Sequence, residues 1–195
     1  MSRFDIVAIA ASAGGLPAIG LILSGLSKDF PATIVIVQHL DPNHRSWMAD
    51  ILGRQTGLVV KQAENGEAIK QATAYIAPPD KHLLVNSDNT LLLAETELVQ
   101  FVRPSADILF ESVAKSFGDR AICVVLTGSG KDGATGVRTI KRYGGIVIAQ
   151  DEKSSQHFGM PSAAIETGLV DYVVPLGEIS AKLMALVVGE EIHAN

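Results

Sequence analysis

The sequence holds a single cysteine, Cys123, set in the apolar run Ala-Ile-Cys-Val-Val-Leu, so no internal disulfide can brace the fold. A lone thiol in such a run reads as core packing, and a reducing cytoplasm is the simplest compartment for it. Aromatic residues make up 5% of the chain and charged residues 19%, against 47% hydrophobic residues. That balance excludes a disordered chain and points to one globular domain over residues 1–195 with a largely aliphatic core. A net charge of −5 argues against nucleic acid as a partner. No apolar stretch reaches the roughly 18 residues that a membrane span needs. A first strand beginning at Asp5 leaves no room for a signal peptide. His44, His82 and His193 show no metal-ligand spacing, and neither H-E-x-x-H nor C-x-x-C occurs, so no metal or other cofactor is expected.

What is present is organised around Phe4 to Leu16. Asp5 to Ala10 is short, apolar and β-branched, the mark of a buried strand. Small residues follow, Ala11-Ser12-Ala13-Gly14-Gly15, and then Leu16, Ile19, Gly20 and Leu23 fall on one helical face. Pro17 is tolerated because the first helical turn makes no use of its amide. Strand, tight turn and helix place Ser12 at the strand's carboxyl end, before the free N–H groups of the helix. Three roles suit it: a helix cap, part of an anion cradle, or a nucleophile. The last follows from Ala10-x-Ser12-x-Gly14, the G-x-S-x-G elbow with alanine in its first small position.

Further strands are expected at Thr33–Val37, Leu58–Val60, Tyr75–Ala77, Ile122–Leu126, Ile146–Ala149 and Tyr172–Val174. Helices are expected at about 46–54, with Trp47, Ile51 and Leu52 partly inward, and at 107–117, 134–143 and 178–188, with a short one after Pro161. Asp41-Pro42-Asn43 reads as a turn, and Ser105 as the cap of the 107–117 helix. Leu83–Val85 and Leu91–Leu93 flank Asn86 to Thr90, a hairpin signal that makes the middle third look antiparallel. Elsewhere the β–α alternation predicts a mostly parallel sheet with helices on both faces. Ligands of such sheets sit beyond the strands' carboxyl ends. The polar residues there are Ser12, His39, Asp132 in the loop 127–133, and Asp151 with His157 in the loop 151–159.

A serine nucleophile needs a base, and the base needs an anion to fix its tautomer. Ser12, His39 and Asp132 supply that set from three strand ends. His157 and Asp151 are the alternative base and acid, although their loop reads as solvated surface. Local roles also exist for His39, in the turn after its strand, and for Asp132, as a helix cap. The loop Gly128-Ser129-Gly130-Lys131-Asp132-Gly133 fails as a phosphate loop, because Val125 and Asp132 stand where a glycine and a Ser or Thr are required. It suits an oxyanion hole, where exposed backbone N–H groups face the reacting centre.

Six ordered pieces now carry a resemblance: Ala11-Ser12-Ala13-Gly14-Gly15, Gln38-His39, Ala77-Pro78-Pro79-Asp80-Lys81-His82, Arg103-Pro104-Ser105-Ala106-Asp107, Leu126 through Ala134, and Phe158-Gly159-Met160-Pro161. Together they resemble the catalytic domain of the chemotaxis protein-glutamate methylesterases, the CheB type. The resemblance implies a doubly wound, Rossmann-like α/β esterase with Ser12 as nucleophile, His39 as base and Asp132 orienting it. Family members hydrolyse glutamate γ-methyl esters on the cytoplasmic helices of chemoreceptors, releasing methanol, and also deamidate glutamines there. Their substrate docks near the segments matching Arg103-Pro104-Ser105 and Phe158-Gly159-Met160-Pro161. Ala13, Gly14, Ser129 and Gly130 then fall in the oxyanion region, and Arg103 and Met160 in the substrate region. For Met160 a packed turn is the stronger expectation, and Arg45 is a further docking candidate.

Ala10 and Ala13 replace a glycine and a threonine common in the family, and Ser129 replaces a methionine. The receiver domain that typical members carry upstream has no counterpart before residue 4. The expectation is a stand-alone enzyme, constitutively active or governed by a separate protein. The alternative function is a non-catalytic module of the same fold that grips a receptor or signalling partner.

Overall fold

The computed structural model describes residues 4–39 and 46–189, so the expected turn at 41–43 and His44, Arg45 and His193 lie outside the described residues. The chain opens with β1 (Ile6–Ala11), α1 (Gly15–Ser24), β2 (Thr33–Gln38), α2 (Met48–Gly53), β3 (Val59–Gln62) and β4 (Thr73–Ile76). The hairpin β5 (His82–Val85) and β6 (Leu91–Ala94) follows, then α3 (Ala106–Phe117), β7 (Ala121–Val125), α4 (Ala134–Arg142) and β8 (Ile146–Gln150). α5 (Gly159–Ile165), β9 (Tyr172–Val174) and α6 (Leu176–Val188) close it.

Among the described residues, seven strands form one parallel sheet in the order β3-β4-β2-β1-β7-β8-β9. After β1 the chain builds one side with β2, then β3 at the rim, then β4 between them, and returns to β7 to build the other. β1 is therefore the switch point, and its carboxyl end is the place where a doubly wound sheet opens a crevice.

Alternation along fully buried strands feeds two cores. Val7, Ile9 and Ala11 of β1, with Ile34 and Ile36 of β2, face α1, α2 and α6. Ile6, Ala8 and Ala10, with Val35 and Val37, face α3, α4, α5 and the hairpin. Each fully buried aliphatic side chain contributes roughly 1.5–3 kcal/mol of transfer free energy.

Four expectations need correction. β3 and β4 belong to the parallel sheet, so the antiparallel pairing among the described residues of the middle third is the β5–β6 hairpin and two isolated bridges, Ala68 with Thr90 and Val99 with Val102. Four-residue strands carry too little periodicity to reveal their partners. Trp47 and Ile51 are 57% and 41% exposed, and only Leu52 of the three turns inward. The helix expected after Pro161 starts at Gly159 and includes it. Ser105 stands at the N-cap position of α3 but makes no side-chain cap bond.

Cys123 is wholly buried in β7, and burial pushes its thiol well above the ordinary range. Thiol reagents at pH 8 should leave the native protein unlabelled and react at once after denaturation. Labelling of the native protein at the rate of a free thiol would contradict this packing.

Candidate active site at the carboxyl edge of the sheet

The β1–β2 register pairs Ala10 with Val37 and Ala11 with Gln38, so its next step sets Ser12 beside His39. The His39 N–H donates to Ala11 O at 3.1 Å and extends the ladder by one bond. Period-two alternation directs both residues toward the α3 face, the side shared by Ala10 and Val37. There His39 Nε2 donates to Asp132 Oδ2 at 2.8 Å. Nδ1 is left as the ring nitrogen for Ser12. No hydrogen bond joins Ser12 Oγ to His39 among the described residues; such bonds commonly tighten only in the substrate complex. The capping role of Ser12 falls away, because the N-cap of α1 is Gly14, with no side-chain cap bond.

Asp132 is buried, and four donors surround its carboxylate. Besides His39, the Ala106 N–H donates to Oδ2 at 2.6 Å, while Ser105 Oγ and the Asp107 N–H donate to Oδ1 at 2.8 and 3.1 Å. The residue expected to cap α4 thus caps α3 instead. Asp107 returns the favour across the helix pair: its Oδ1 accepts from the N–H groups of Gly133 and Gly136, at 3.0 and 2.7 Å, at the start of α4. Each helix lends a carboxylate to the other's free N–H groups.

Burial opposes charge on Asp132, yet the bonds from His39, Ala106, Ser105 and Asp107 outweigh it and hold the carboxyl below its ordinary range. Asp107 moves the other way: burial, joined by repulsion from Asp132, raises it against its bonds from Gly136, Gly133 and Gln100.

Residues that sequence reasoning left aside complete the bracing. His82 is wholly buried; its Nδ1 accepts from the Ser105 N–H at 3.1 Å and its Nε2 donates to Glu97 O at 3.0 Å. Gln100 Nε2 donates to Asp107 Oδ2 at 2.7 Å. Arg103, a docking candidate from the sequence, binds Asp80 Oδ1 through Nε and Nη2 at 2.9 and 2.6 Å and Thr96 O through Nη1 at 2.6 Å. It thereby fastens the 96–104 segment. That segment and His39 enclose a cavity of about 170 Å³, walled by Leu98, Phe101 and Arg103. His82 and Arg103 lie inside the motifs already singled out, which was the one signal that could have found this bracing.

The 127–133 loop lies directly against the serine. The Ser12 N–H donates to Thr127 O at 3.0 Å, and Thr127 Oγ1 donates to Ala13 O at 3.0 Å. A side chain at Gly128 would place its Cβ 2.8 Å from that of Ser12 and 2.4 Å from Met160 Sδ, so only glycine fits there. Met160 is buried, and its N–H donates to Gly128 O at 2.8 Å, so it props the loop from behind. Ser129 and Gly130 stand exposed at the loop's tip, and Ala13 and Gly14 are partly buried beside it. His157 is exposed and meets the 127–133 loop through its main chain, its N–H donating to Thr127 Oγ1 at 2.8 Å and its carbonyl accepting from the Gly128 N–H at 2.9 Å, while Asp151 Oδ1 is occupied by the Ser154 N–H at 3.1 Å. The arrangement can generate a nucleophilic hydroxyl, take its proton and present main-chain donors to an oxyanion.

Asp132 also sets an acid limit. Its stabilising charge is fully present above the unfolded value of 3.8 and is lost as pH falls through the lower folded value. The difference in Tm between wild type and Asp132→Asn should narrow as pH falls below about 4. A gap that stays undiminished down to about pH 2 would contradict the bonding described.

Known proteins share this sequence pattern and fold. The CheB methylesterase family model matches residues 7–183. A protein-glutamate methylesterase/protein-glutamine glutaminase of Thermotoga maritima is 41% identical over 185 residues, covering 93% of this chain and 54% of that protein. The group 3 operon counterpart of Rhizobium meliloti is 44% identical over 184 residues, covering 94% and 52%. The chain thus spans about half the length of the curated relatives it matches. The crystal structure of the Thermotoga maritima CheB methylesterase catalytic domain superposes with a TM-score of 0.92 at 41% identity, covering 94% of this chain and 99% of that one. The chain belongs to the CheB methylesterase family.

Proposed function

We propose that residues 4–189 form a methylesterase catalytic domain that hydrolyses glutamate γ-methyl esters on the cytoplasmic helices of chemoreceptors. The observation that carries this reading is the Nε2 bond of His39 to buried Asp132, made one register step from Ser12 at the sheet's switch point.

Ser12 Oγ attacks the ester carbonyl as His39 Nδ1 takes its proton, and Asp132 stabilises the imidazolium that forms. The tetrahedral oxyanion lies among the main-chain N–H groups of Ala13, Gly14, Ser129 and Gly130. One such donor is typically worth about 3 kcal/mol in the transition state. Collapse of the intermediate breaks the C–OCH3 bond, and the proton on His39 leaves with methoxide as methanol. His39 then draws a proton from water, whose oxygen attacks the acyl-enzyme, freeing the γ-carboxylate and returning the proton to Ser12. A glutamine side chain would follow the same course with ammonia as leaving group, in keeping with the glutaminase half of the relatives' names. Such a substrate places the domain in the cytoplasm. Arg103 supports docking by holding the wall of the His39 cavity.

The test is methanol release from methyl-esterified chemoreceptor cytoplasmic fragments. Ser12→Ala should lower release at least about a thousandfold, and a fluorophosphonate should label Ser12 in wild type but not in His39→Ala. Labelling without release would move the substrate elsewhere, and absence of both would favour a binding module. Arg103→Ala should raise KM for the receptor fragment roughly tenfold, as loss of a binding contact does, with turnover of a small ester nearly unchanged. An equal loss on both substrates would remove Arg103 from docking.

A further inference from the structure

Gln38 ends β2, and its side chain follows Ile34 and Ile36 to the α1 face, away from the His39–Asp132 pair. It is 5% exposed. Its Nε2 donates to two main-chain carbonyls, Ser12 O at 2.8 Å and His39 O at 3.0 Å. One planar amide thus joins the residue of the candidate nucleophile to the residue of the candidate base. The joint comes at the end of the described ladder, since the His39 N–H to Ala11 O bond is the last of the β1–β2 register among the described residues. Ser12 O also accepts from the Gly15 N–H at 2.8 Å, so the amide grips a carbonyl that already closes the turn.

Among the described residues the other end of the amide has no partner. Gln38 Oε1 is buried without a hydrogen bond, an arrangement that ordinarily destabilises a fold and calls for an explanation. The chain also makes room for it. A Cβ at Gly15 would lie 1.9 Å from Oε1 and 2.9 Å from Cδ of Gln38, so the amide fills the space that a side chain on α1 would occupy. An apolar side chain at position 38 would fill the same space without the buried Oε1; Ser12 O would keep the Gly15 N–H, while His39 O would lose its amide donor. What it could not do is donate to both carbonyls.

We infer that Gln38 is a positioning residue that fixes the Ser12 backbone against that of His39 and so sets the approach of the hydroxyl to the imidazole. It touches neither reacting side chain and acts through the main chain. The inference rests on the proposed roles of Ser12 and His39. Displacement of reacting groups by about 1 Å costs on the order of a hundredfold in rate, which is the scale on which an untethered turn can drift.

A merely structural residue loses stability and activity together, whereas this assignment separates them. Gln38→Met removes the orphaned acceptor along with the donor. It should leave Tm nearly unchanged, slow fluorophosphonate labelling of Ser12 by about 10- to 100-fold, and lower kcat for ester hydrolysis in parallel with little change in KM. Labelling of Gln38→Met within about threefold of wild type, or a rate loss matched by lost Tm, would overturn the assignment. Wild type that fails to label would overturn the nucleophile itself, and the positioning role with it, whereas equal labelling of wild type and Gln38→Met overturns the positioning role alone.

Discussion

A buried anion sets the terms for much of this molecule. Removing a carboxylate from water costs on the order of several kcal/mol even after the surroundings relax, and Asp132 is 4% exposed. The fold meets that cost with the N-terminus of α3, the Ser105 hydroxyl and His39. Those partners fix where α3 begins, and α3 carries Asp107, which in turn fixes the start of α4. The helices approach closely to do so: a Cβ at Gly136 would stand 2.6 Å from that of Phe110. Site geometry and core packing are one set of contacts, and the acid that orients the candidate base is held by the same bonds that order the second core.

The sequence was most informative where burial is complete on both faces. β1, β2, β7 and β8 are continuous apolar runs, and their carboxyl ends put Ser12, His39 and Asp132 in view before any coordinates. β3 and β4 were harder. Four residues hold barely two periods of alternation, and the neighbouring hairpin made the whole region look antiparallel. Trp47 and Ile51 look inward by spacing alone, yet a six-residue helix has room to bury little more than one side of a turn.

The bracing residues were hidden for a different reason. Ser105 stands at the correct place for a cap, and its sequence neighbours support that reading, but a carboxylate from a distant loop supplies the bonds while the hydroxyl serves that carboxylate. Gln38, Thr127, Gln100 and His82 act through contacts 7 to 114 residues apart in the chain, apart from the local bond of Gln38 to His39. No local pattern encodes such pairings; only the shared motif segments hinted that these positions matter.

The order of the sheet has a consequence for how such a protein can vary. Ser12, His39 and Asp132 all hang from the three adjacent inner strands β1, β2 and β7, while the outermost strands are β3, with four residues, and β9, with three. The rims are short, and Val59 and Val173 lie 59% and 49% exposed on them. Chain added, lost or re-paired along either rim remodels the outline of the molecule while the three inner strands keep their register. The chemistry is anchored at the hub and the periphery is free to diverge.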